Sequence, residues 1–412
     1  MMENYIQELI ALRIGGATFG TEDVIYKFEK IKRAKKEAIK KYPNTPIIDM
    51  GVGEPDAMAD MRVIDELYSQ AKKWENRGYT DNGTIEFQLA AVDYMKRIYD
   101  VSHLDAASEI IHSIGSKPAL AMLPQAFINE GDITLMTVPG YPIIGTMTEW
   151  LGGRIFKLPL YEENHYLPDL KSIPEDVLDK AKLLYINYPN NPTGTSATKS
   201  FYEEVIEFAR VNNILIIQDA AYAALTYDNE KPLSILTLDG AKDVCIEVHS
   251  LSKAFNMTGW RLAFLAGNSL AIKAFATVKD NNDSGQFNAI QLAGKHALEH
   301  QDITDKTSEK YSRRHDMLAD VLKRLGFNSY KPKASFYMYV KIPKCNGKGI
   351  RFRSAEEFSQ YLLREKLIST VPWDDVEPSI RLSVTFVADG LEKEKEVIEE
   401  IYNRLQDEEF IF

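Results

Sequence analysis

The chain reads as an α/β protein, with a mainly parallel sheet covered by helices on both faces and a smaller α+β domain beside it. Three observations predict this. Through the middle of the chain, short apolar runs rich in β-branched residues alternate with helix-length amphipathic stretches, the rhythm of strands buried between helices. Chemically distinctive loops follow several of these runs, and open α/β sheets bind ligands at the carboxyl ends of their strands. The C-terminal part loses the alternation and mixes isolated strands with charged helices.

The elements follow in chain order. A charged amphipathic helix is expected over residues 22–41, then an extended segment at 47–50. Both are expected to pack on the smaller domain. Strands are predicted at 133–138, 182–188, 214–218, 244–249 and 262–266, with the clearest helices at 118–129 and 199–211. In the tail, strands are expected at 334–340 and 380–384 and helices at 355–366 and 391–405. The implied division is an N-terminal arm with part of the small domain (1–60), a large domain (61–304) and a small C-terminal domain (305–412).

Composition narrows the function. A chain of 412 residues, 45% hydrophobic and 26% charged, is too long for one ordinary core. A net charge of −11, spread along the chain without a basic stripe, argues against nucleic acid. Cys245 and Cys345 are the only cysteines, and Cys245 lies in an apolar run, so no disulfide framework is expected. No run approaches about eighteen apolar residues, so no membrane span is expected. The first residues (MMENY) lack a basic segment followed by an apolar one, so no signal peptide is expected either. A reduced, cytoplasmic, soluble protein is the expectation. The pair His296 and His300 has no third ligand nearby, so no metal site is predicted. The segment from Gly51 (GVGEPD) fails the dinucleotide-binding glycine pattern.

The most informative segment runs from Ser250 to Arg261 (SLSKAFNMTGWR), directly after a predicted strand. A lysine beside hydroxyls, with an arginine further on, can form a Schiff base next to a phosphate clamp. A lone lysine in such a loop is ordinarily a solvated one. Here it is accompanied. Residues 216–222 (IIQDAAY) end a buried strand on Asp219, with Tyr222 close behind, and residues 188–194 (YPNNPTG) form a strand-to-turn segment containing Asn191. Each alone could be only a helix cap or a turn.

Together and in this order, these segments resemble the fold-type I aminotransferases, enzymes that use pyridoxal 5′-phosphate (PLP). The resemblance runs from residue 51 (GVGEPD) to residue 383 (IRLS). It implies a seven-stranded sheet, a homodimer with active sites at the subunit interface, and amino and 2-oxo acid substrates. It also implies that Lys253 carries the cofactor and moves the proton, that Asp219 pairs with the pyridine nitrogen, and that Tyr222 and Asn191 donate to the phenolic oxygen. Tyr141 would stack on the ring. Ser116 and Lys117, at the start of a predicted helix where free N–H groups favour an anion, would hold the phosphate with Ser250 and Arg261. Tyr79 would reach the phosphate from the other subunit. Arg381 would grip the substrate carboxylate bidentately, with Gly53 beside it.

More narrowly, the N-terminal run 13–20, the segment 25–28, the loop 78–83 and the stretch 283–288 (DSGQFN) resemble the LL-diaminopimelate aminotransferases. That branch implies amino transfer between LL-2,6-diaminopimelate and 2-oxoglutarate in the lysine and cell-wall pathway. Asp81 would meet the distal ammonium from the partner chain, Asn288 would contact substrate, the Lys117 side chain would face the distal carboxylate, and Tyr26 would form a pocket wall. The loop 78–83 departs from the branch's usual form, being shorter and lacking its Tyr-Gly-x-Glu-Gln-Gly pattern. An aspartate-, alanine- or aromatic-type aminotransferase, or a PLP-dependent lyase, remains an alternative on the same residues, because a fold does not fix a reaction. A transcription regulator with an aminotransferase-like domain is not expected, since little chain precedes the first motif and no basic recognition helix is present.

Overall fold

The computed structural model describes residues 5–20 and 27–412. Its strands are β1 Ile48–Asp49, β2 Ile110–Ser113, β3 Ile133–Val138, β4 Arg154–Pro159, β5 Ala181–Asn187, β6 Leu215–Asp219, β7 Cys245–Ser250, β8 Ala263–Gly267, β9 Tyr337–Lys341, β10 Ile368–Ser369, β11 Val371–Trp373 and β12 Ser379–Ser383. Seven of them form one sheet in the order β2-β8-β7-β6-β5-β3-β4. Every neighbouring pair is parallel except the two that β8 makes. The predicted apolar runs match β3 and lie within a residue of β5, β6, β7 and β8. Their legibility has a physical cause. These strands are covered on both faces, so almost every side chain must be apolar.

Two strands of the sheet were not predicted. The edge strand β4 is half-exposed and carries Arg154 and Lys157, so no apolar run marks it. β2 is only four residues long and includes a histidine.

Two hydrophobic layers sandwich the sheet. One face packs Leu184, Ile186 and Ile216 against Phe201, Val205 and Ala209 of the helix Lys199–Asn212. The other packs Leu183, Ile217 and Val248 against Leu120 and Leu123 of the helix Ser116–Phe127 and Phe275 of the helix Ser269–Lys279. The helix expected at 118–129 begins at Ser116. Pro118 therefore sits in its first turn, where a missing N–H removes no intrahelical bond.

The C-terminal part has its own core. An antiparallel sheet, β11-β12-β9, packs with the helices Gln301–Arg324, Ala355–Lys366 and Gly390–Leu405. The strand expected from 334 starts only at Tyr337, because Ser335 takes a left-handed φ of 70° that breaks the ladder. The early extended segment joins this part: β1 pairs in parallel with β10, and Ser383 N donates to Met50 O at 2.7 Å. The helix expected at 22–41 is described from Lys27 to Lys41; residues 21–26 lie outside the described part of the chain.

The fully buried Arg314 ties the segment after Met50 to this core. It donates to the carbonyls of Val384 and Phe386 at 2.9 Å each, and pairs with Asp56 at 3.1 Å and Glu394 at 3.0 Å. Lys310 reaches the same Asp56 at 2.7 Å. Removing one partner of such a buried cluster strands the remaining charge, which costs about 3–5 kcal/mol. The chain from Gly51 to Asp56 is thus held firmly as it leaves the small core. Among the described residues, no helix is long and apolar enough to cross a membrane.

Candidate active site

The carboxyl ends of β2, β3, β5, β6 and β7 share one edge of the sheet, and the antiparallel β8 begins there. A cavity of about 510 Å³ lies along that edge. Each strand end contributes to its wall. β6 ends on Asp219. β7 ends on Ser250 and continues into the short helix Leu251–Ala254, which carries Lys253. β5 ends on Asn187 and turns to present Asn191, Tyr141 follows β3, Ser116 and Lys117 start the helix after β2, and Arg261 precedes β8. Gly53, Tyr222 and Arg381 complete the group of predicted residues that share this cavity.

Lys253 Nζ donates to the carbonyl of Gly53 at 2.7 Å. Burial pulls its pKa down to about 8, helped by the positive charges of Arg261 and Arg381 and opposed by Glu54 and Asp219. A sizeable neutral fraction therefore exists near neutral pH, as a nucleophile or proton acceptor needs.

Asp219 is only 5% exposed. Its carboxylate accepts from Tyr185 Oη at 3.1 Å and from Ala221 N at 3.3 Å, and Asn187 Nδ2 donates to its carbonyl at 2.7 Å. Burial raises its pKa to about 6, against the downward pull of those hydrogen bonds and of His249 and Lys253. The hydroxyls of Tyr222 and Tyr337 lie 3.2 Å apart. Burial lifts the Tyr222 phenol far above its ordinary range, so it stays a donor.

Arg381 is 3% exposed and comes from β12 in the other core. Asn191 Oδ1 accepts from its Nη1 at 2.9 Å and Gly51 O from its Nη2 at 3.0 Å, while its buried Nε has no hydrogen-bond partner among the described residues. The Tyr337 ring lies 4.1 Å from the guanidinium. Gly53 is required here: a Cβ would come within 2.8 Å of Tyr337 Oη and 3.7 Å of Arg381 Nη2.

A second glycine shapes the opposite end. Gly115, with φ of 86°, lets Arg261 lie across the start of the helix Ser116–Phe127; a Cβ would sit 2.5 Å from Arg261 Nη2. Arg261 is itself left-handed, with φ of 56°. Gln286 braces it, donating to the carbonyls of Trp260 at 2.8 Å and Arg261 at 2.9 Å. The result is a helix N-terminus, a hydroxyl and a guanidinium facing one space, an anion-binding arrangement.

Three of the predicted residues that the structure describes are not brought to this cavity. Tyr79 is 87% exposed and Asp81 is also exposed. Their loop is bound to its own chain, Thr80 Oγ1 donating to Gln286 O at 2.7 Å and Asp81 N to Ser284 O at 3.2 Å. Asn288 donates to Asn76 Oδ1 at 2.8 Å, away from the cavity. Tyr26 lies outside the described residues.

Other lining residues escaped the sequence reading: Asn187, Tyr337, Trp373 and Asp375. Asn187 had a usable signal, since it closes a buried strand just before the YPNNPTG turn. Tyr337 had none, because alternation along 334–340 cannot say which face meets the cavity. The hairpin joining β11 to β12 reads only as a polar turn.

A family model for aminotransferase class I and II matches residues 45–398. The LL-diaminopimelate aminotransferase of Methanocaldococcus jannaschii is 59% identical over 410 residues, covering 99% of this chain and 97% of that one. Its namesake from Methanococcus maripaludis is 55% identical over the full length of both. Among solved structures, substrate-bound BacF from Bacillus subtilis superposes with a TM-score of 0.85 at 32% identity, covering 95% of this chain and 97% of the other. A cavity that gathers a half-buried lysine with a buried aspartate and arginine, in a chain so matched, leads to one conclusion: this chain belongs to the class I and II aminotransferases.

Proposed function

We propose that this aminotransferase carries PLP on Lys253 and moves an amino group between LL-2,6-diaminopimelate and 2-oxoglutarate, in the lysine and cell-wall pathway of a cytoplasm. The observation that carries the reading is the buried Asp219 and Arg381 and the half-buried Lys253 around one cavity. The relatives named for that reaction support the substrate.

The residues suit the cofactor. A buried carboxylate whose hydrogen-bond partners are all neutral, Tyr185 Oη and Ala221 N, gains most from a protonated ring nitrogen. The helix start beside the Arg261 guanidinium, whose close approach Gly115 permits, suits a phosphate, with Ser116, Lys117 and Ser250 around it. Tyr141 would lie against the ring, and Tyr222 and Asn191 would donate to its phenolic oxygen. When bound, PLP supplies an aldehyde carbon that takes the amino group and a ring that accepts the electron pair left at the substrate Cα. Lys253 Nζ takes up the Cα proton. Arg381 holds the α-carboxylate, with Gly53 leaving room for it.

The distal half of the substrate is assigned to the Lys117 side chain and, from a partner subunit, to Asp81, with Asn288 as a further substrate contact; Tyr26 is kept as a wall residue. Tyr79 would reach the phosphate from the partner, so the enzyme works as a homodimer. The domain division 1–60, 61–304 and 305–412 accompanies this reading.

The test is a half-reaction panel. The PLP form is mixed with LL-diaminopimelate, glutamate, aspartate or alanine, and conversion to the pyridoxamine form is followed by absorbance. Conversion by LL-diaminopimelate and glutamate is expected; conversion by glutamate and aspartate alone would leave an aminotransferase with a different substrate. For the dimer, Lys253→Ala and Tyr79→Ala subunits are mixed. A hybrid has one intact site, so activity should return in roughly a quarter of all sites. No recovery would remove Tyr79 from the shared site.

A further inference from the structure

The charge lining the cavity does not balance with the roles above. Six lining side chains are charged: Lys117, Asp219, Lys253, Arg261, Asp375 and Arg381. Lys253, Asp219 and Arg261 serve the cofactor and Arg381 the α-carboxylate. Lys117 and Asp375 remain, one cation and one anion, and neither forms a hydrogen bond or ion pair among the described residues. A dicarboxylic amino acid such as glutamate ends in a carboxylate alone, which can meet Lys117 but leaves Asp375 without a partner. A substrate that ends in a second ammonium and carboxylate complements both.

The position of Asp375 fits that end. It lies on the hairpin that also carries Arg381. In the register of that hairpin Val371 faces Arg381 and Trp373 faces Ser379, so Asp375 is further out along the same strand direction. Four residues at about 3.3 Å each put it at most about 13 Å from the level of Arg381, a limit that the bend at residues 375–377 shortens. In extended diaminopimelate, six bonds of about 1.5 Å separate the α-carboxylate carbon from the distal nitrogen, or roughly 7–8 Å in projection. The loop has a fixed anchor: the neighbouring Asp374 accepts from Ala355 N at 2.7 Å and Glu356 N at 3.2 Å, capping the helix Ala355–Lys366. That cap holds the backbone while leaving the Asp375 carboxylate exposed to the cavity.

We propose that Asp375, from the same subunit as Lys253, is the specificity residue that receives the distal ammonium of the substrate. This rests on the diaminopimelate reading above. It shifts the distal acid from Asp81 of the partner to the small-domain hairpin of the same chain.

The experiment compares half-reactions of wild type, Asp375→Asn, Asp375→Glu and Asp81→Ala with three probes: LL-diaminopimelate, 2-aminopimelate (which lacks the distal ammonium) and glutamate. In Asp375→Asn, the preference for LL-diaminopimelate over 2-aminopimelate should fall at least tenfold, with Asp375→Glu recovering part of it. Retained cofactor absorbance shows that the variants fold, and a purely structural defect would lower all three probes alike. An unchanged preference in Asp375→Asn, or a loss found only in Asp81→Ala, overturns Asp375 and leaves the substrate reading standing. A wild-type enzyme that converts glutamate but not LL-diaminopimelate overturns both.

Discussion

The two sides of the cavity are built differently. On the sheet side, Asp219, Ser250, Lys253, Asn187 and Arg261 sit at or just beyond the ends of adjacent strands, so the ladder of backbone hydrogen bonds sets their spacing. On the other side, Gly53, Tyr337, Asp375 and Arg381 come from three chain segments that meet because β9 pairs with β12, β1 pairs with β10 and Arg314 clamps Asp56 to the loop after β12. The sheet side is a rigid frame suited to a resident cofactor. The hairpin side depends on packing between elements, and it suits a ligand that must be released each turnover. Changes on the first side should therefore affect every substrate, and changes on the second should affect binding and choice.

The largest effect tests the sheet side. Lys253→Ala should abolish the visible absorbance of bound cofactor and lower activity by about ten-thousandfold, the upper range for a positioned proton-transfer group. An unaltered spectrum would break the assignment. Next comes pH. Because the Lys253 pKa is lowered to about 8 by burial, the amine is protonated below that pH and cannot attack the cofactor's aldehyde. Capture of PLP by the apoenzyme should therefore slow about fiftyfold from pH 8 to pH 6 and level off above about pH 9. A rise continuing to pH 10 would mean an ordinary lysine.

Arg381→Lys tests the other side. It keeps the charge and loses the fork held by Asn191 and Gly51, at about 1.5–3 kcal/mol. KM should rise roughly tenfold to a hundredfold for every amino acid while the cofactor stays bound. Loss of cofactor instead would show that the two sides are not separable. The smallest effect is Tyr337→Phe, which removes the hydroxyl facing Tyr222. About 1 kcal/mol is expected, read as a roughly fivefold drop in kcat/KM.

How much of this was legible follows the same division. Strand ends followed by distinctive turns exposed Asp219, Asn191 and Lys253, because a strand buried on both faces leaves an unmistakable apolar run and its loop must lie at the sheet edge. Asn187 belongs to the same class and could have been read. Tyr337 and Asp375 could not, since a half-buried strand and a polar hairpin carry no mark of what they face. Tyr79, Asp81 and Asn288 marked a different limit. Their motifs were visible, yet within one chain they point away from the cavity.

The sequence alone determined most of the buried strands along the chain and the residues at and just beyond their ends, Lys253 among them, because local burial dictates composition and composition is written in order. Only the tertiary structure decided that Arg381, Gly53 and Lys253 share one cavity and that Asp375 borders it. Those meetings arise from strand pairing and buried ion pairs between segments hundreds of residues apart, where no local pattern constrains the partner.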